Sequence, residues 1–304
     1  MILDFFYLFL YYLFKGLTYL IPIQYINKGL YQLATLLYHR TQKYQNIISK
    51  NLKLAFSPPL TKEKEKKIGI HVFYNLLQVI VQIIRRERET KEEILSHITF
   101  ENEHYLTTAI QNNEPIIFVT GHYSNWELLP LAISAHYHLP LVGVGRKLDS
   151  KIMDKILIKN RERFGVEMLY RKGAMKGLMK ALKQGKSVGL LLDQHLGKKQ
   201  GGIEVSFFKH KVLHSPAASI LARTFQAKMI PAYISTTDYI HYTVTFHPPI
   251  LPLKTEDKTL DIQTMTQAQA QSMEDVIRKR PHEWFWVHKR WKAFYPEIYT
   301  KRKQ

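Results

Sequence analysis

The sequence predicts an α/β fold, a mixed, mostly parallel sheet flanked by helices, with a membrane-associated helix at its N-terminus. Three observations carry this. From residue 98 onward, short β-rich apolar runs alternate with helical patterns, the rhythm of strands joined by helical crossovers. Residues Ile2 to Ile23 form an apolar stretch crowded with Tyr and Phe. No internal repeat occurs, and no linker long enough to divide the remainder, so residues 28–304 read as one domain behind an anchor of residues 1–27.

The N-terminal run ILDFFYLFLYYLFKGLTYLIPI is interrupted only by Asp4, Lys15, Gly16 and Thr18. About 20 apolar residues cross the roughly 30 Å hydrocarbon core of a bilayer, but Lys15 falls well inside the run. Spanning the membrane and lying in its interface therefore both stay open. There is no basic segment before the run and no small-x-small cleavage site after it, which favours an uncleaved anchor over a signal peptide. Lys28, Arg40, Lys43, Lys50 and Lys53 follow with hardly any acid, and a spanning helix would leave the body on the cytoplasmic side.

Next comes a basic helical segment, Tyr31 to Phe56, with Leu33, Leu36, Leu37, Ile47, Ile48, Leu52 and Leu54 at helical spacing, closed by Ser57-Pro58-Pro59. Residues 60–95 carry a second amphipathic pattern, in which Thr61 is placed to cap the first turn ahead of Glu63 and Glu65. Ile116 to Thr120 is a buried strand that runs straight into Gly121-His122. The alternation continues with a strand at Leu141 to Val144, a helix near Ile152 to Phe164, a helix at Lys176 to Lys183 and a strand at Ser187 to Leu192. A helix at Ala217 to Phe225 precedes strands at Met229 to Ile234 and Tyr242 to Phe246.

With 304 residues, 45% of them hydrophobic, the chain is long enough to bury a substantial core. Lys and Arg number 44 against 25 Asp and Glu, a net charge of +19. Such a surface seeks anionic partners: phosphate-bearing lipid, a membrane face, an acidic carrier protein or nucleic acid. The aromatics crowd at the N-terminus rather than interleaving with Lys, and no zinc-finger, P-loop or ribonucleoprotein signature appears, which argues against nucleic acid. The absence of cysteine excludes disulfides, thiolate metal sites and a Cys nucleophile.

The chemistry concentrates in Gly121-His122-Tyr123-Ser124-Asn125-Trp126-Glu127. If a helix starts directly after the strand, His122 stands at its mouth and Glu127, in the second turn, reaches the imidazole. A His oriented by a carboxylate takes the proton from a hydroxyl as it attacks a thioester, a step worth roughly 10²- to 10⁴-fold. Free amides at the helix start would favour an oxyanion or a phosphate. A His-x4-Glu spacing alone is a weak motif, equally compatible with a capped helix and an incidental surface His.

Further blocks strengthen it. Asn51-Leu52-Lys53-Leu54-Ala55-Phe56 precedes the run, and Arg146, Arg171-Lys172-Gly173 with Leu178 to Gly185, Leu192-Asp193-Gln194 and Pro281 to Lys292 follow in order. Together these resemble the bacterial lipid A biosynthesis acyltransferases of the lauroyl/myristoyl family, over nearly the whole chain. The resemblance implies a glycerolphosphate-acyltransferase-like fold at the bacterial inner membrane. It implies transfer of an acyl chain from acyl carrier protein, or from acyl-CoA as cosubstrate, to a hydroxyl of a Kdo-bearing lipid A precursor, an anionic glycolipid, without cofactor or metal. It makes His122 the base and Glu127 its orienter or a second hydroxyl-binding group. Arg171 becomes a phosphate or oxyanion clamp, Asp193 a positioner of Arg or of substrate, and Arg146, where the family has an Arg after the second strand, and Asn125 become substrate contacts. His195 and His210 lie among lysines that account for them, and Met175 and Met179 read as core or acyl-chain packing.

Two other readings follow from single features: a different glycolipid or glycerophospholipid as acceptor, and a basic membrane-bound scaffold or nucleic-acid binder. A serine hydrolase built on Ser124 or Ser215 lacks a Gly-x-Ser-x-Gly elbow.

Overall fold

A computed structural model describes residues 2–300; Met1, of the predicted anchor, and residues 301–304, of the predicted domain, lie outside the described residues. Four helices come first: α1 (Ile2–Leu20), α2 (Ile23–Arg40), α3 (Gln42–Ala55) and α4 (Lys62–Arg85). Thr61 caps α4 as expected, its hydroxyl accepting from the Lys64 amide at 3.3 Å. Gly69 lets α2 approach α4, since a Cβ there would overlap the Tyr38 ring. Helix α4 with its 3-10 extension, Lys62–Arg88, is the described helix long and apolar enough to cross a membrane by length and composition, but most of it is buried in the body.

The apolar run of α1 packs along α4 and the later helix α8 (Lys151–Arg161). Lys15, which interrupts the run, is satisfied by an ion pair with Glu87, and the Tyr11 hydroxyl donates to the same carboxylate at 2.6 Å. The remaining face is bare: Phe5, Phe9, Tyr12 and Leu20 are exposed.

After α5 (Lys91–Leu95) the chain builds the sheet: β1 (Ile98–Glu101), α6 (His104–Gln111), β2 (Ile116–Thr120), α7 (Leu128–Tyr137), β3 (Leu141–Gly145), α8, β4 (Val166–Tyr170), α9 (Ala174–Lys183) and β5 (Ser187–Leu191). A hairpin of β6 (Ile203–Phe207) and β7 (His210–His214) stands apart from it. Then come α10 (Ala217–Phe225), β8 (Lys228–Thr236), β9 (Tyr242–Phe246) and α11 (Lys258–Lys279). The seven strands lie in the order β1-β9-β8-β2-β5-β3-β4, every neighbouring pair parallel except β8 and β9. This is the mixed, mostly parallel sheet that the alternating pattern predicts.

All of β2 is buried because both faces of the sheet are covered. Ile116 and Phe118 point into one apolar cluster with α7, and Ile117 and Val119 into another with α9 and α10. A third cluster joins α3, α4, the hairpin, α11 and the C-terminal Trp284, Trp286 and Trp291.

Candidate active site

The strand register brings the central pair together. Strands β2 and β5 are parallel neighbours with Thr120 opposite Leu191, and two residues further on each chain stand His122 and Asp193. Asp193 Oδ1 lies 2.8 Å from His122 Nδ1, and Oδ2 accepts from the His122 amide at 3.0 Å and from the Trp284 indole Nε1 at 3.0 Å. Gly121 makes the approach possible, since a Cβ there would stand 3.0 Å from Asp193 Cβ and 3.1 Å from Met273 Cε. Active sites of open α/β sheets form at such carboxyl ends of parallel strands.

Burial alone would raise the Asp193 pKa, but the charge of His122 and the donors around it hold the carboxyl down at about 2. Burial also depresses the His122 imidazole, and here the charge and hydrogen bond of Asp193, helped by the charge of Glu127, outweigh it and raise the pKa above the ordinary value. An ionised carboxylate only accepts hydrogen bonds, so Nδ1 carries the proton and Nε2 the lone pair. Trp126 and Phe285 pack around the ring, 5.1 and 6.0 Å from its centroid.

Glu127 does not orient this imidazole. The segment after β2 is a loop, with Ser124 in the left-handed region at φ 47°, and α7 starts only at Leu128. Glu127 therefore sits at the helix entrance rather than in a second turn above His122. Its carboxylate turns to Arg161, which donates from Nε at 2.7 Å and from Nη2 at 2.6 Å, while Trp126 Nε1 donates at 3.2 Å. The orienting carboxylate is Asp193, expected instead to position an Arg or substrate. Four of the amides between β2 and the first turn of α7 are already bound. The amide of His122 is bound by Asp193, those of Tyr123 and Ser124 by the Gly121 and Glu283 carbonyls at 2.8 Å, and that of Leu128 by Asn125.

Asn125, expected as a substrate contact, is buried and caps the Leu128 amide with Oδ1 at 3.3 Å, off the wall of the cavity beside His122. Arg146 and Arg171 do line that cavity. They follow the paired ends of β3 and β4, where Gly145 registers with Tyr170 and the Arg171 amide donates to the Gly145 carbonyl at 2.9 Å. Arg146 is largely exposed, 3.9 Å from Asp149.

The cavity beside His122 holds about 600 Å³, within the roughly 300–1,000 Å³ of small-molecule sites. His122, Arg146, Arg171 and Gln194 stand at the carboxyl ends of the strands, and Phe118, Ile133, Leu141, Gly143, Val166 and Gly189 line the interior. Met175 also lines it, whereas Met179 packs only in the cluster under α9 and α10. His214 is fully buried against Arg290, with Nδ1 2.7 Å from Nη2, and burial holds its pKa well below the ordinary value.

Sequence reasoning missed two residues here. Arg161 is one of several cations in α8, and only its bidentate pairing with Glu127 in the cavity lining singles it out. Trp284 belongs to the block Pro281 to Lys292, but the contact of its N–H with Asp193, ninety-one positions away in sequence, leaves no local pattern.

Residues 1–293 match the family described as bacterial lipid A biosynthesis acyltransferase. The chain is 23% identical to the lipid A biosynthesis palmitoleoyltransferase of Escherichia coli K12, over 83% of its own length and 80% of that protein. It is 27% identical to a lipid A biosynthesis acyltransferase of Haemophilus influenzae, over 81% and 77%, and 23% identical to the lauroyltransferase of E. coli K12, over 90% and 86%. The crystal structure of the 1-acyl-sn-glycerophosphate acyltransferase from Thermotoga maritima superposes with a TM-score of 0.38 and 13% identity, covering 81% of this chain and 97% of that one.

Proposed function

The chain belongs to the bacterial lipid A biosynthesis acyltransferases, and from that premise we propose that it moves a fatty acyl chain from acyl carrier protein to a hydroxyl of a Kdo-bearing lipid A precursor, with His122 as general base. The observation that carries the reading is the Nδ1 contact with Asp193, which leaves Nε2 free to serve as base beside an apolar cavity. Nε2 takes the proton as the acceptor oxygen attacks the thioester carbonyl carbon. The imidazolium that forms is stabilised by Asp193 at 2.8 Å. As the tetrahedral intermediate collapses, the carbon–sulfur bond breaks and the same proton passes to the leaving thiolate, so the base is restored.

In this reading the apolar interior takes the acyl chain. Arg161 faces the developing oxyanion, holding Glu127 as its counter-charge. Arg146 and Arg171 meet the anionic groups of the substrates at the rim, where guanidinium geometry suits phosphate. Glu127 acts through Arg161 and through its field on His122 rather than as an orienter.

The exposed aromatic and aliphatic face of α1, with Lys28, Arg40 and Lys43 beyond it, supports attachment to the cytoplasmic face of the inner membrane. Lys15 is neutralised by the body, which favours a helix lying in the interface over one that leaves the domain to span the bilayer.

The test supplies membranes bearing the full chain with labelled acyl carrier protein thioester or acyl-CoA, and with a lipid A precursor or a glycerophosphate acceptor. Mass spectrometry should find one new ester on the lipid A precursor, from the carrier-protein donor, lost in His122→Ala. Equal turnover by His122→Ala sinks the base assignment, preference for acyl-CoA sinks the donor, and esterified glycerophosphate alone sinks the acceptor.

A further inference from the structure

We propose that Trp284 is a positioning residue for the catalytic pair, its indole N–H fixing the Asp193 carboxylate and, through it, the proton affinity of His122. The inference rests on the reading of His122 as base.

The carboxylate is pinned on one oxygen and used on the other. Oδ2 takes two donors that belong to separate parts of the chain, the His122 amide and the Trp284 indole, both at 3.0 Å. Oδ1 is left for Nδ1 at 2.8 Å. With Oδ2 held from two directions the carboxylate cannot swing about its Cβ–Cγ bond, so the imidazole keeps one orientation and one tautomer.

The indole is itself immobilised. Trp284 is 1% exposed and wedged edge-on between Phe207 and Trp286, centroids at 5.7 and 4.7 Å. The backbone around it is stitched to the catalytic loop: Phe285 N donates to the His122 carbonyl at 3.1 Å and Ser124 N to the Glu283 carbonyl at 2.8 Å. An aromatic filler needs none of this polarity. Indole has one donor and no acceptor, and here that donor meets an anion.

The chemistry follows from charge. A donor on Oδ2 draws off part of the carboxylate's negative charge. Without it Asp193 becomes more basic and holds the imidazolium more strongly, so His122 stays protonated to higher pH, while a carboxylate free to swing no longer fixes the imidazole toward the substrate, so turnover falls.

The experiment measures pH–rate profiles of the full chain in membranes for the wild type, Trp284→Phe, Asp193→Ala and the double variant. Trp284→Phe keeps a ring in the core and removes the donor. The expected result is a fall in kcat of about tenfold, in line with one hydrogen bond to a charged group, an unchanged KM for the acyl donor and an acid limb displaced to higher pH. In the Asp193→Ala background, where the indole has no acceptor, Trp284→Phe should change kcat less than about twofold. Should Trp284→Phe fail to fold, benzothienylalanine at 284 keeps the bicyclic shape without the N–H and gives the same readout. An unmoved acid limb, or an equal loss in both backgrounds, reduces Trp284 to packing and overturns the proposal. If that happens while His122→Ala is still inactive, the base reading stands and only the role of Trp284 falls.

Discussion

Glu127 and Arg161 meet as a bidentate pair, Oε2 to Nε at 2.7 Å and Oε1 to Nη2 at 2.6 Å, in the lining of the cavity that His122 also lines. Both side chains are mostly shielded, 14% and 19% exposed, so neither is an idle surface charge. Paired charges of this geometry couple. A double-mutant cycle of Glu127→Ala and Arg161→Ala, read by thermal unfolding, should give a coupling of ~0.5–3 kcal/mol. Both single variants should also lose most acyl transfer. Simple additivity would show that the pair is not cooperative in solution.

With His122 as the base in the proposed reading, the acid limb of kcat/KM should lie above the ordinary imidazole value, because the base must be neutral to act and its pKa is raised. Burial works against this, so the rise belongs to Asp193 and, less, to Glu127. Asp193→Asn removes the nearer charge. The imidazole then deprotonates more easily, and the limb should move to lower pH even as kcat falls. A limb that stays put in Asp193→Asn would mean that another group sets it.

Much of the fold was legible in the sequence because β2, β3, β5, β8 and β9 are short apolar runs between helical stretches. The elements that escaped have physical reasons. β1 has only two apolar residues, alternating in and out at the sheet edge. Helix α11 hides its core face among Gln and Thr, and buries Thr266, Gln269 and Glu274 along with Met265, Met273 and Ile277. At the site, the sequence pointed to His122 but not to its partner. His-x4-Glu spacing assumes a helix after β2, whereas the loop with Ser124 in the left-handed region turns Glu127 away. The true contact is set by the pairing of β2 with β5, which only the tertiary structure displays.

Gly121→Ala tests how tightly the pair is held. The added methyl would press on Asp193 Cβ and Cγ at 3.0 and 3.1 Å, and on Met273 Cε at 3.1 Å. Methionine can swing aside, but Asp193 is fixed by three hydrogen bonds. Stability should drop by about 1–3 kcal/mol, the usual cost of overpacking, and acyl transfer should fall further than that loss of folded enzyme explains. Thermal unfolding beside a rate measured at matched folded fraction separates the two, and a proportionate decline would show that the pair tolerates the shift.

Gly189 offers a way to alter the length of chain transferred. It lines the cavity on β5, and a Cβ there would meet only Leu141 Cδ1, at an ordinary 3.7 Å, so a side chain would point into open space rather than into the fold. Gly189→Val should therefore fold, and it should occupy volume that the proposed reading gives to the acyl chain. Because each methylene of a buried chain is worth about 0.8 kcal/mol, a chain denied its last few carbons loses much of its advantage over a shorter one. Mass spectrometry of the product, with an equimolar mixture of carrier-protein thioesters as donors, should show the preferred chain shortened by two or more carbons while total turnover stays within about an order of magnitude. An unchanged preference in a folded variant would place the acyl chain elsewhere than against this strand.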